Sequence, residues 1–499
     1  MLSVVAGLLG APEEALRMIL SVWAVIPISH FHHLFIAKRP IRDQQIFILL
    51  AGLVLCFVNF GWSTTHLIFS SLACWVLLLS LGGSADSVPI AHLIFMGHLL
   101  WGYYKTATEN YDISWTTAYC VMCLRYIGLV VDVYDGRKMN QLRPELKRDA
   151  VAKSPDLLEI LAFGFNYTTI LVGPQVPLNR FRAWLNGDHL GEKKEIRKSS
   201  IPEAMNRFIV GFIYIVIHQV GCSIISDQYL NSSEFYERSF FMRWTVCAIW
   251  ARIMLSKYVS IFLFSEAGCI YSGLAYNGLE KRKKRERWDG CRNVDVWLWE
   301  TGTDFNSLIL AFNCLTNHWM KNYVFRRLRW MGDKRFSHLL TLFYLAIWHG
   351  FHLGYFLFFG FEFACMHAQN EFYALIERTP SIRGIYYETW MYPIRKVLGR
   401  LIISYTMGFG ILSFSLVSYK YWIGPASSLY FLPYIFYIFV APFLFNYIKI
   451  MQSTHNRPEI HENGNLVKTD SLMNTSDFSS SSTVVLLDGR SKGENTKDK

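Results

Sequence analysis

Residues 339–355 read L-L-T-L-F-Y-L-A-I-W-H-G-F-H-L-G-Y, an apolar run that carries His349 and His352. The stretch before it, 312–330, reads F-N-C-L-T-N-H-W-M-K-N-Y-V-F-R-R-L-R-W. It sets Asn313 and Asn317 one helical turn apart and follows them with Arg326, Arg327 and Arg329. Polar groups inside or beside a membrane segment are expensive, so they are functional candidates by default.

The rest of the chain supports a membrane reading of this run. Of 499 residues 52% are hydrophobic and only 17% charged, against about 25% charged in an ordinary soluble domain. Apolar windows near the length of a bilayer crossing recur at about 13–35, 46–60, 67–81, 88–104, 115–133, 157–172, 208–225, 240–264, 339–359, 397–417 and 429–448. Several fall short of a full crossing, which predicts tilted, buried or re-entrant helices that need protein around them. The expected fold is an all-α, polytopic integral membrane protein of about 10–12 membrane segments, short and re-entrant ones included, around a buried reaction chamber.

Residues 1–452 form one expected domain, and 453–499, polar and serine-rich, an expected disordered tail. The N-terminal residues lack the basic n-region of a cleavable signal.

The net charge of +11 lies in short loops between apolar segments, which argues against nucleic acid and for cytoplasmic loops or anionic ligands. The densest cluster, E-K-R-K-K-R-E-R at 280–287, serves as a topology signal or as a dock for a polyanionic cosubstrate. Most of the ten cysteines sit in apolar runs as small hydrophobes. Cys120 and Cys123 have no second pair to complete a zinc site, and His349 with His352 has no carboxylate or thiolate beside it, so no metal is expected.

Glu109, Asp112, Asp132 and Asp135 flank the run 115–133, and each reads singly as structural. Gly173-Pro174 ends the run 157–172 and presents Gln175 near the interface. Within 276–300, Trp288, Asp289, Asn293, Trp297 and Glu300 follow the basic cluster. Asn293 and Trp297 at i,i+4 share a face if the segment is helical; an interfacial helix anchored by tryptophans is the plainer alternative.

A lone histidine on an apolar helix is more often structural than catalytic. At His349 three features favour catalysis. Apolar neighbours favour the neutral, base-competent ring; Gly350 and Gly354 leave room beside the helix; and Asn317, 32 residues upstream across the basic turn 326–335, is placed to face it.

The segments T-N-H-W-M-K-N-Y-V-F-R-R-L (316–328) and A-I-W-H-G-F-H-L-G-Y (346–355) resemble the paired signature of the membrane-bound O-acyltransferase superfamily. Within it the chain is similar to lysophospholipid acyltransferases, in particular the type-3 lysophosphatidylcholine acyltransferases. Further matches are T-A-T-E-N-Y-D-I-S-W (106–115), I-G-L-V-V-D-V-Y-D-G (127–136), L-V-G-P-Q (171–175) and W-D-G-C-R-N-V-D-V-W-L-W-E (288–300), in the family's order.

The resemblance implies an enzyme of the endoplasmic reticulum membrane that moves a fatty acyl chain from acyl-CoA to a lysophospholipid hydroxyl. It places the catalytic histidine at His349 and the asparagine at Asn317. His318 stands where a small residue is expected. Asn317 would donate to the developing oxyanion, or hold the hydroxyl or the His349 ring in register.

Trp288, Asp289, Asn293, Trp297, Glu300, Thr316, Gln175 and His352 are candidate substrate contacts. Lys281, Arg282, Lys283, Lys284, Lys321, Arg326 and Arg327 are candidate CoA contacts. No bound cofactor is expected; acyl-CoA is a cosubstrate. The expected partners are acyl-CoA, a lysophospholipid and the bilayer, with no nucleic acid and with room for a homodimer. The alternatives are acylation of a sterol, diacylglycerol or protein, and a transporter or scramblase; the last lacks paired broken helices in corresponding halves.

Overall fold

Helix punctuation in the sequence sets several element boundaries in the computed structural model, which describes residues 2–106, 113–191, 195, 197–280 and 285–455. Pro12 precedes the helix Glu13–Phe31, whose first turn carries Glu13 and Glu14, where acids complement the helix dipole. Ser114 caps Trp115–Arg137, Asp156 caps Leu157–Gly164 and Asp333 caps Lys334–His349, each side chain accepting from an orphan backbone N–H of the first turn.

Among the described residues seven helical segments are long and apolar enough to cross a membrane: Glu13–Ile36, Ile41–Leu81, Trp115–Arg137, Ser200–Asn231, Phe240–Tyr271, Met391–Ser415 and Leu432–Gln452. Shorter helices fill in around them, as the expectation of short segments required. A two-residue hairpin, Leu279–Glu280 against Arg285–Glu286, is the one strand pair among the described residues. Trp115–Arg137 is buried almost throughout, while Ser200–Asn231 and Leu432–Gln452 present most of their surface outward. The former is the central post and the latter two are perimeter helices.

Two expected spans are corrected. The run 157–172 yields only the helix Leu157–Gly164, followed by turns. Non-helical backbone at this depth needs donors, and Arg125 of the central post supplies them. Its guanidinium donates to the carbonyls of Phe163 (3.0 Å), Gly164 (2.8 Å) and Thr169 (3.2 Å) and to the Thr169 hydroxyl (2.8 Å). The run 339–359 is also two elements: Lys334–His349 stops at His349, and Leu353–Arg378 begins after a three-residue break.

Close approaches bring the helices around the chamber together. A β-carbon on Gly408 of Met391–Ser415 would lie 2.5 Å from the Ala248 Cα of Phe240–Tyr271. One on Gly354 would fall onto the Ser413 carbonyl oxygen. Backbones this close gain dispersion contacts that lipid cannot supply. Residues 456–499, which hold most of the expected tail, lie outside the described residues.

Candidate active site

His349 is the last residue of its helix, and Gly350 stops the helix with φ +128° and ψ −167°. That backbone region is essentially closed to residues with a β-carbon. The stop leaves the imidazole at the helix terminus instead of along its side. The residue before it is held twice. The Trp348 indole N–H donates to the Cys120 carbonyl at 3.0 Å, and the Tyr103 hydroxyl donates to the Trp348 carbonyl at 3.1 Å.

Aromatic rings surround the imidazole: Trp348 at 4.7 Å, Phe414 at 5.1 Å, Phe359 at 5.4 Å and Tyr355 at 5.6 Å between centroids. No hydrogen bond to its ring nitrogens is made among the described residues. It opens onto a cavity of about 1740 Å³, larger than the ~300–1,000 Å³ of common small-molecule sites and suited to a long-chain amphiphile.

Asn317 lies on the same cavity, in the helix Cys314–Tyr323. Its side-chain NH2 donates to the carbonyls of Ile309 and Phe312, both at 2.9 Å. Two carbonyl partners fix which end of the amide is nitrogen and leave Oδ1 as its other polar atom.

A buried scaffold explains this placement. Glu266, inside the apolar helix Phe240–Tyr271, accepts from the backbone N–H of Asn293 (2.6 Å) and Val294 (2.7 Å), with Arg207 at 3.5 Å from its other oxygen. The extended segment so fixed takes up the next one: Asp295 N–H donates to the Ala311 carbonyl (2.8 Å), Cys314 N–H to the Asn293 carbonyl (2.9 Å), and Leu315 N–H to Asn293 Oδ1 (3.1 Å). Asn313, at the turn into the asparagine helix, takes the left-handed conformation (φ 48°), which asparagine tolerates.

Of the expected substrate contacts, Asn293, Thr316, Gln175 and His352 share the cavity with His349 and Asn317. Gln175 is tied to the central post, its Nε2 donating to the Val121 carbonyl at 2.8 Å. Its Oε1 is buried with no hydrogen bond.

The others lie elsewhere. Trp288 is 7% exposed and donates to the Ser199 hydroxyl (2.9 Å), and Asp289 accepts from Asn277 (2.7 Å) and Arg287 (2.9 Å). Asn293 and Trp297 share no helical face, because the helix starts only at Val296; Trp297 is 77% exposed and faces away. Glu300 sits behind the wall, bonded to Tyr214 and paired with Arg252 and Arg400.

Of the expected CoA contacts, Lys321, Arg326 and Arg327 lie off the cavity. Arg327 is paired with Asp135 (2.8 Å for one of two bonds), and Arg326 donates to Asn322 (3.1 Å). The same Asn322 donates its amide to His318 Nε2 at 2.8 Å, so His318 braces the basic turn. Lys321 does not line the cavity, and Lys281, Arg282, Lys283 and Lys284 lie outside the described residues, as do Glu109 and Asp112. Asp132 accepts from the Tyr323 hydroxyl (2.9 Å), so it and Asp135 hold the asparagine helix and the basic turn against the central post, as structural acids.

Sequence reasoning passed over Glu266, Arg252, Arg400 and Glu362. Each is a charge in an apolar run, and that was the available signal. Arg252, Arg400 and Glu362 line the cavity. Among the described residues no group of three His, Cys, Asp or Glu is placed to hold a metal ion.

Residues 100–409 match MBOAT, the membrane-bound O-acyltransferase family. The chain is 45% identical over 435 residues to Lysophospholipid acyltransferase 5 of Caenorhabditis elegans, covering 87% of this chain and 92% of that protein. It is 35% identical over 444 residues to Lysophospholipid acyltransferase 5 of Mus musculus (87% and 90%). It is 28% identical over 377 residues to Lysophospholipid acyltransferase of Schizosaccharomyces pombe (72% of each). With a chambered membrane fold and a family match across 100–409, this chain belongs to the membrane-bound O-acyltransferase family and is an acyltransferase.

Proposed function

We propose that the chain transfers a fatty acyl group from acyl-CoA to the free hydroxyl of a lysophospholipid, lysophosphatidylcholine included, in the endoplasmic reticulum membrane. The observation that carries this reading is His349: a ring with no hydrogen-bond partner among the described residues, at the end of a stopped helix, on the wall of a cavity shared with Asn317. The likeness to proteins named lysophospholipid acyltransferase gives the acceptor class.

In the reaction His349 takes the hydroxyl proton as the oxygen attacks the thioester carbonyl. A C–O bond forms, the C–S bond breaks, and the proton passes to the departing CoA sulfur. General-base help of this kind contributes about 10²–10⁴-fold. Both hydrogens of the Asn317 amide are engaged by backbone carbonyls. The role that fits is therefore positioning, with Oδ1 as the acceptor for a substrate N–H or for the second N–H of the His349 ring, since the single proton of the reacting hydroxyl goes to His349. Of the cations that line the cavity, Arg252 and Arg400 are the ones we assign to substrate phosphate, in place of the basic turn.

The test is transfer by the purified protein from an unsaturated acyl-CoA to lysophosphatidylcholine, with sterol, diacylglycerol and protein acceptors in competition. His349→Ala should remove activity while the protein stays folded; wild-type turnover in that variant would overturn the base assignment. Sedimentation in detergent decides the homodimer.

A further inference from the structure

Three carboxylates line the chamber: Glu14, Asp227 and Glu362. Glu14 is exposed at the start of its helix, and Asp227 accepts from the Trp250 indole at 2.9 Å. Glu362 differs from both. It is set well into the helix Leu353–Arg378, within F-F-G-F-E-F-A, and makes no hydrogen bond or ion pair among the described residues. An ionised carboxylate away from water is costly unless something positive meets it. In this chamber a ligand group can be that partner.

Its position relates it to the chemistry. Tyr355, Phe358, Phe359 and Glu362 all line the cavity, and their i, i+3, i+4, i+7 spacing is one helical face. The first part of that face touches the base, Tyr355 and Phe359 standing 5.6 and 5.4 Å from the His349 ring. Glu362 follows Phe359 by about 4.5 Å along the axis, at 1.5 Å per residue. Across from this face Phe414 stands 5.0 Å from Phe358 and 5.2 Å from Tyr355. A hydroxyl held at His349 therefore sends the rest of its molecule along an aromatic wall that leads to a lone carboxylate. Aromatic faces and one negative charge are the chemistry that recognises a quaternary ammonium.

We propose that Glu362 is a specificity-determining residue for the acceptor headgroup: its carboxylate, with the wall formed by Tyr355, Phe359 and Phe414, binds the quaternary ammonium of choline. The ammonium supplies the missing countercharge, and its methyl groups take the aromatic faces. A headgroup with no cation leaves the carboxylate unpaired and is disfavoured. The proposal rests on the lysophospholipid reading and extends it to the headgroup.

The experiment compares kcat/KM for lysophosphatidylcholine and lysophosphatidylinositol of the same chain length, in the full-length protein and in Glu362→Gln. The expected result is a choline preference that falls on the order of tenfold in the variant, mainly through KM for the choline acceptor. An unchanged ratio in a folded, active Glu362→Gln overturns the proposal and leaves the lysophospholipid reading standing; no transfer to either acceptor by the wild type overturns both. A second measurement needs no variant: dodecylphosphocholine, which lacks an acceptor hydroxyl, should inhibit the wild type more strongly than dodecyl phosphate. Equal inhibition counts against the proposal.

Discussion

The Trp348 indole N–H donates to the Cys120 carbonyl at 3.0 Å, joining the residue before His349 to the buried helix Trp115–Arg137. Through this bond the least exposed helix of the bundle sets where the base stands. Trp348→Phe keeps an aromatic ring and deletes the donor. The expected stability loss is about 0.5–1.5 kcal/mol, one neutral hydrogen bond. The catalytic loss should be larger in proportion, on the order of tenfold in kcat with KM little changed, because sub-ångström displacement of a catalytic group is costly. Thermal unfolding in detergent and steady-state kinetics measure the two; an unaltered kcat alongside the lower Tm would show that the bond serves stability alone.

Gly350 is a different kind of constraint. The space around it would accept a methyl group, the nearest heavy atom being Tyr355 Cε2 at 3.5 Å. Its φ of +128° would not. Gly350→Ala should therefore cost about 1–3 kcal/mol through backbone strain, or relieve that strain by moving His349. Either way kcat drops. Activity and Tm both at wild-type level in Gly350→Ala would mean that the helix stop does not depend on glycine.

Glu266 is expected to matter for catalysis although it does not line the chamber. It holds the N–H groups of Asn293 and Val294, and those residues carry the segment that leads into the asparagine helix. Glu266→Ala leaves two buried donors without an acceptor and removes the partner of Arg207. Each unsatisfied donor costs about 1–3 kcal/mol. We expect a large fall in Tm and, in protein that remains folded, a fall in kcat. Glu266→Gln, which keeps one acceptor oxygen, should sit between the two. If Glu266→Ala matches the wild type in both, the scaffold is not what positions Asn317.

The apolar character of the spans was legible in the sequence because composition is local; the caps Ser114, Asp156 and Asp333 are local signals too, but they were not among the helix starts read from it. The sequence did not carry the break after His349: the run stays apolar through Phe351, and only the φ of Gly350 turns the chain. Nor did it carry the fates of the polar residues. Arg326 and Arg327 look like free cations in the sequence, yet one meets Asn322 and the other Asp135, 192 residues away. Glu266 and Glu362 looked alike as acids in apolar runs. One is answered by backbone amides on a neighbouring segment, and the other lines the chamber with no hydrogen bond or ion pair among the described residues. That His349 and Asn317 face each other was read from the turn between them, and both line one cavity; the roles of base and assisting amide came from resemblance.

Asn317→Asp tests the orientation of the asparagine directly. The substitution is nearly isosteric, so packing is kept, but both side-chain donors become an acceptor oxygen facing the carbonyls of Ile309 and Phe312. Oxygen against oxygen at 2.9 Å cannot persist in a half-buried site, so the side chain must protonate or swing away. We expect loss of most activity together with a Tm drop corresponding to about 1–3 kcal/mol. Asn317→Ala should lose comparable activity with a smaller Tm change, since it leaves two carbonyls without a donor but adds no repulsion. If Asn317 instead presented its NH2 to the reacting carbonyl as an oxyanion donor, its side chain would be turned away from the carbonyls of Ile309 and Phe312. The aspartate would then be tolerated structurally, and only kcat would fall. The Tm of Asn317→Asp, read beside that of Asn317→Ala, separates the two arrangements. A variant as stable as the wild type would reverse the amide and restore the oxyanion role.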